Sequence, residues 1–374
     1  MIKNLRIEKF SNFDFLNIEK NETWVFRTDK KNKFNVKVKY GKKLDFISLK
    51  NESEDTEKEY AKHLKRKAKH YENKSNYKLQ RICPICGSKK NEISLTIFKI
   101  NYLNCKNCKH IFAEKILTEK FINSYYTQSK KLSSVYIDKR KDNFRIQNIV
   151  KPKFDWINQI YLSEEKKKIK SILDIGAGAG HFLYYAKKKN VKVAGFEKNI
   201  HAIEHCRKNF GISLFQEDFL KTKENKKYDV ITMFGLLEYV TNPNEFINVA
   251  NNHLKKNGLL VIEVPRANSL STRVQSIKNP TIVRHMDPTS HINCFSDTSL
   301  CNLLFYNDFY PIAAWYFGMD SYELFFQLKH LNKYKVFTKK NIELIELLQN
   351  ICDRSQFCDD IIMIFKRGKS EKKL

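Results

Sequence analysis

The chain predicts an α/β fold: a mostly parallel sheet with helices on both faces, preceded by a small four-cysteine metal module. Three observations carry this expectation. From residue 171, short apolar runs alternate with helical segments, the texture of a parallel sheet covered on both sides. The first run ends in a glycine-rich loop, Gly176-Ala177-Gly178-Ala179-Gly180. Ahead of it stand two Cys-x2-Cys pairs, Cys83/Cys86 and Cys105/Cys108.

The length of 374 residues suits more than one domain and a sizeable core. Hydrophobic content of 42% and aromatic content of 13% are globular values. The formal net charge of +28 raises nucleic acid as a partner. The lysines are spread along the whole chain, however, and Asn and Ile are also abundant, so a compositional bias is the stronger reading. No apolar run approaches the roughly 20 residues that span a bilayer. The start, Met1 to Phe15, has no apolar core of a signal peptide. A cytoplasmic location is therefore expected, where clustered cysteines read as metal ligands rather than disulfides.

Taken in order, residues 1–80 form an N-terminal extension of unassigned role. Within it Asn35–Tyr40 alternates like a strand closed by Gly41, and 51–80 is charge-dense, a helix or a solvated linker. Residues 81–115 hold the cysteine pairs, and 116–170 read as a helical connector rich in aromatics. A domain over 171–368 follows. Its expected strands are 171–175, 191–196, 213–215, 228–234 and 258–264, with helices at 181–189, 200–209 and 243–254. Two last strands are expected near 310–317 and 361–365.

The glycine loop lies between a strand and a helix, the context in which such a loop has meaning. Glycines let the backbone turn sharply and let a ligand approach closely, and the helix start offers free N–H groups. Dinucleotide binders prefer G-x-G-x-x-G. Here the spacing is G-x-G-x-G, with His181 where the third glycine of that pattern would stand and Asp174 two residues ahead of the first.

This arrangement resembles motif I of class I S-adenosylmethionine (SAM)-dependent methyltransferases. The resemblance covers roughly 171–367 and implies a Rossmann-like seven-stranded sheet, mostly parallel with the last strand antiparallel. It implies SAM as cofactor, held by Asp174, Gly176, Gly178 and Gly180, by Glu197 on the ribose hydroxyls, and by Asp218 and Phe219 at the adenine. Tyr228–Pro243 looks like the family's fourth strand and following loop, with Glu238 kept and Tyr239 in place of the commoner His. Ser290–Leu300 is similar to a signature shared by ubiquinone-pathway O-methyltransferases and many sugar methyltransferases.

Eighteen residues separate the cysteine pairs, a spacing that reads as a zinc site. Four thiolates complete a tetrahedral shell, so Cys83, Cys86, Cys105 and Cys108 are expected to hold a structural zinc with no position left for water. Cysteines 206, 294, 301, 352 and 358 show no ligand spacing and are expected to be buried small hydrophobes. The whole architecture resembles zinc-ribbon methyltransferases associated with sugar or cell-surface glycan synthesis.

Methyl transfer to oxygen needs alignment and a base, most often His near neutral pH. His291 is the first candidate, with Glu238 and Tyr239 as further catalytic candidates and His285 behind them. The expected activity is O-methylation of a small-molecule acceptor such as a sugar, nucleotide sugar or glycan precursor. Two alternatives stay open: an RNA methyltransferase that uses the ribbon and basic surface for recognition, and a non-catalytic SAM-binding or scaffold protein.

Overall fold

The structure is a computed structural model. It describes residues 7–10, 19–26, 29–42, 65–66, 68–128, 137–277, 283, 285–325 and 339–368. In chain order, the N-terminal strands are β1 (Ile7–Phe10), β2 (Glu19–Phe26) and β3 (Asp29–Tyr40). The cysteine module contributes β4 (Tyr77–Leu79), β5 (Asn91–Ile97), β6 (Ile100–Cys105), β7 (Ile111–Ala113) and β8 (Lys115–Leu117). The connector holds α1 (Glu119–Gln128), α2 (Lys139–Arg145), a π-helical turn (Ile146–Val150) and α3 (Lys151–Glu165). Then come β9 (Ser171–Ile175), α4 (His181–Lys188), β10 (Lys192–Phe196), α5 (Ile200–Phe210), β11 (Tyr228–Phe234), α6 (Pro243–Asn252) and β12 (Leu254–Pro265). The chain ends with α7 (Leu270–Gln275), β13 (Asn293–Cys294), α8 (Asp297–Phe305), β14 (Phe309–Phe317), α9 (Lys339–Arg354) and β15 (Asp360–Arg367).

The strands β12, β11, β9 and β10 lie side by side and parallel. Their side chains alternate between two cores. Leu173, Ile231, Met233, Leu260 and Ile262 face one layer, while Ile172, Val230, Leu259 and Val261 face the other. Burial on both faces explains why β9, β11 and Leu259–Val264 of β12 read as apolar runs. The last strand, β15, runs antiparallel to both its neighbours, β12 and β14.

The expected count of seven strands needs correction in two places. The segment 213–215 makes only an isolated parallel bridge, Phe196 to Phe215. It is short and lies at the sheet edge, where only one side can be paired. At the other edge β3 pairs in parallel with β14, and β2 and β1 add antiparallel strands beyond it. Among the described residues the sheet therefore has nine strands, in the order β1-β2-β3-β14-β15-β12-β11-β9-β10. The N-terminal strands are sealed to the core by polar contacts as well. Trp24 donates to Glu22 at 2.9 Å, and Gln356, just ahead of β15, donates to Glu22 and to the Tyr40 hydroxyl. Of the charge-dense 51–80 stretch, residues 51–64 and 67 lie outside the described residues.

The cysteine module is not a separate bead ahead of the α/β domain. Its sheet has the order β13-β7-β6-β5, so one of its four strands comes from residues 293–294. Asn244 on α6 donates to the carbonyls of Pro84 and Ile85. Cys83, Cys105 and Cys108 are buried in the same cluster as Leu300 and Leu304 of α8. The five remaining cysteines, 206, 294, 301, 352 and 358, are all buried, as small hydrophobes would be.

Candidate functional site

The glycine loop leaves the end of β9 and enters α4. Gly176, Gly178 and Gly180 all have left-handed backbones, with φ of 78°, 52° and 78°, which glycine adopts at no steric cost. Gly178 has nothing within 4 Å of where a Cβ would stand, so the loop keeps an open cradle there. Gly180 is the opposite case: an added Cβ would meet the Cys206 sulfur at 2.1 Å.

Glu197 follows β10 and is buried. Its carboxylate accepts from the backbone N–H groups of Gly178, Lys198 and Asn199, each at 2.8 Å. The Tyr126 hydroxyl of α1 also bonds it; burial nevertheless raises its pKa. Asn199 reaches back to the Tyr126 carbonyl at 2.8 Å. The connector helix α1 thus lies against the C-terminal end of β10. Asp174, the acid of the loop, is buried and accepts from Thr232 Oγ1 at 2.6 Å. Burial pushes its carboxyl up to about 7.

Asp218 caps the short turn 219–221 through the Leu220 N–H and pairs with Lys198 at 3.1 Å. Burial works against its charge, but these two donors hold it below the usual range. Phe219 is turned into the core, edge-on to Phe196 with centroids 5.1 Å apart.

At the end of β11, Gly235 takes φ of 59° and the chain turns through Glu238 and Tyr239. Glu238 is 3% exposed, and its Oε2 has no hydrogen-bond partner. Burial pushes its carboxyl up to about 8. Tyr239 is exposed, and its hydroxyl lies 3.0 Å from His291 Nε2. His285 stacks on His291 with centroids 5.9 Å apart, and its own Nε2 lies 3.3 Å from buried Asp359. His285 holds a left-handed backbone, φ 61°, an uncommon conformation for a non-glycine and one that clusters at functional sites.

The structure thus brings together Glu238, Tyr239 and His291 in one place, and Asp174, Glu197 and the three glycines in another, at the C-terminal ends of the parallel strands β9, β10 and β11. Asp359 and Tyr102 were not found by sequence reasoning. Asp359 stands 68 positions beyond His291, and Tyr102 lies in the cysteine module, with no motif at either. Yet Tyr102 donates to the His291 carbonyl at 2.9 Å. The Ala113 N–H holds the Ile292 carbonyl at 2.9 Å, and the Glu238 carbonyl accepts from the N–H groups of Ile292 and Asn293.

The four cysteines close into two knuckles. The Gly87 N–H returns to the Cys83 carbonyl and the Lys109 N–H to that of Cys105, at 3.0 and 2.9 Å. Gly87 and Lys109 both have left-handed backbones. Sulfur atoms approach to 3.5 Å for Cys83–Cys108 and 3.6 Å for Cys86–Cys105. Around an ion with Zn–S bonds near 2.3 Å, tetrahedral sulfurs would stand about 3.8 Å apart, so the residues fit the ion. Mutual contacts among the four thiols hold Cys105 and Cys86 below and push Cys83 and Cys108 above their ordinary pKa. His110 is fully buried beside them, 3.2 Å from Asn293 Oδ1; burial lowers its pKa to about 4, and its Nδ1 is unpartnered.

Residues 150–314 match a family described as a methyltransferase domain. Both the glycine loop and the Glu238–Tyr239–His291 group fall inside it. Among curated proteins, the ubiquinone biosynthesis O-methyltransferase of Glaesserella parasuis serovar 5 (strain SH0165) is 34% identical over 104 residues. That stretch is 25% of this chain and 44% of that protein, so the chain spans less than half the length of this relative. Among solved structures, the plantazolicin methyltransferase BpumL with SAH and a pentazolic desmethylPZN analog is 19% identical. The match covers 67% of this chain and 98% of that one at a TM-score of 0.42. DesVI of Streptomyces venezuelae is 22% identical over 29% of this chain and 48% of its own, with a TM-score of 0.27. Among the described residues, no helix is long and apolar enough to cross a membrane.

Proposed function

We propose that this chain is a SAM-dependent methyltransferase acting on an oxygen of a small-molecule acceptor, of the sugar, nucleotide-sugar or glycan-precursor class. Its four cysteines would hold a structural zinc. The observation that carries the reading is the pairing, inside the matched domain, of an open glycine cradle lipped by Glu197 with the Glu238–Tyr239–His291 group. SAM supplies an activated methyl group and its leaving sulfur. The rest is done by this chain's side chains.

Glu197 is preset as an acceptor at the lip of the cradle, where a carboxylate can take charge-assisted hydrogen bonds from ribose hydroxyls. Asp174 and the open Gly178 backbone line the approach to it. Asp218 offers an acceptor near the adenine end, while Phe219 supports it from the core. The acceptor's hydroxyl proton passes to His291, directly or through the Tyr239 hydroxyl 3.0 Å away. His285 stacks against the imidazole and Asp359 orients His285. The unpartnered Glu238 Oε2 is free to bond an acceptor hydroxyl. Gain is by alignment and general base action.

The test is label transfer from methyl-tritiated SAM into an extract divided into RNA and nucleotide-sugar/glycan fractions. Label in the sugar fraction is expected. His291→Ala should then lower kcat by roughly 10²–10⁴-fold while SAM affinity by calorimetry stays near wild type. Label confined to RNA overturns the acceptor class, and failure to bind SAM overturns the enzyme reading.

A further inference from the structure

A second group of metal-type ligands lies away from the cysteines. Asp142 on α2, His181 at the first position of α4 and His205 on α5 converge in the interior, at 7%, 8% and 9% exposure. Their ligand atoms all lie within 4.8 Å of one another. His181 Nε2 is 2.8 Å from Asp142 Oδ1, and His205 Nε2 is 3.2 and 3.1 Å from Oδ1 and Oδ2. We propose that Asp142, His181 and His205 bind a divalent transition-metal ion, distinct from the cysteine site.

Donor type and spacing argue for this. Two imidazoles and one carboxylate are the ligand set of zinc and its first-row neighbours, whereas calcium and magnesium take oxygen shells. Around an ion with bonds near 2.0–2.1 Å, tetrahedral N and O ligands stand about 3.3 Å apart. The observed separations of 2.8–3.2 Å need only a slight opening to admit the ion. Both rings are also fixed in orientation: Phe210 meets His181 and His205 edge-on, with centroids 5.2 and 5.7 Å away. Three protein ligands leave one position for water.

The consequence is mechanical. His181 directly follows Gly180, so an ion here would clamp the helix that carries the glycine loop to α5 and to the connector helix α2. The residue that breaks the dinucleotide glycine pattern would then be there as a ligand. This inference does not rest on the methyltransferase reading, because its readout is metal content.

The experiment loads the full chain with excess zinc, desalts it, and measures metal per chain by elemental analysis. Two ions are expected for the wild type and one for His205→Gln and for His181→Gln. A cobalt titration of the wild type is the second measurement and needs no variant. It should show one binding class with thiolate charge-transfer absorption and a second class without it. One zinc per chain in the wild type, or a single thiolate class with cobalt, overturns the proposal and leaves a hydrogen-bonded triad. An unchanged count of two in both folded variants overturns the assignment to these residues.

Discussion

Glu238 carries the sharpest electrostatic tension in the candidate site. Its carboxyl is pushed up to about 8 by burial, against about 4.3 for a free glutamate. Between those values the folded protein keeps a proton that the unfolded chain has released. The stabilisation is fully present below pH about 4 and is lost as pH rises through about 8. Glu238→Gln removes the charge at nearly constant shape. It should melt higher than wild type at pH 9, by an amount on the order of a few kcal/mol, and the difference should vanish at pH 4. Equal melting-temperature differences at both pH values would show that burial of charge is not the cause. Tyr239→Phe keeps the ring and removes the hydroxyl 3.0 Å from His291. A fall in kcat with KM for SAM unchanged is expected, and an unaltered kcat would take Tyr239 out of the proton path. These residues were legible because they sit in a motif at a strand end. Asp359 was not, because an isolated acid becomes meaningful only once β15 lies beside β14 and β12.

At the scale of elements, the glycine loop packs so closely on α5 at Gly180 that even an added methyl group has no room there. Gly180→Ala puts a Cβ 2.1 Å from the Cys206 sulfur at φ 78°. Overpacking of this kind plus a left-handed alanine should cost roughly 2–4 kcal/mol. Adding Cys206→Ala removes the sulfur and should return most of the overpacking part, leaving about 1 kcal/mol of backbone strain. Denaturant melts of the two single variants and the double variant measure this coupling. Additive losses would place the strain elsewhere. The same elements show what the pattern of apolar runs could and could not disclose. β9, β11 and the later part of β12 are readable because burial on both faces leaves apolar runs. The bridge at 213–215 was overcalled, since three apolar-alternating residues cannot reveal that they lie at an edge. β3 was recognised as a strand, but its partner β14 lies more than 270 positions away, and no local signal names it.

Across the whole molecule, the cysteine module and the loop that carries His291 are one piece of backbone engineering. β13 begins two residues after His291 and is a strand of the module's own sheet, pairing Asn293 with Phe112 and Cys294 with Ile111. Tyr102 and Ala113 hold the carbonyls of His291 and Ile292. His110, next to the second knuckle, lies 3.2 Å from Asn293, whose amide in turn donates to the Leu237 and Val240 carbonyls on either side of Glu238 and Tyr239. A structural zinc would therefore act on chemistry it never touches, by fixing the loop that carries the proposed base. Cys105→Ser, which leaves the Asp142–His181–His205 group intact, should release that register. Misplacement by about 1 Å can cost on the order of 10²-fold, so kcat should fall by about that factor. Glu197 and the glycine loop lie on strands that the module does not pair with, so SAM affinity should change little. Parallel calorimetry and turnover on this variant separate the two effects. Loss of SAM binding together with turnover would mean that the module supports the whole domain, and full turnover without zinc would mean that β13 holds its register on its own.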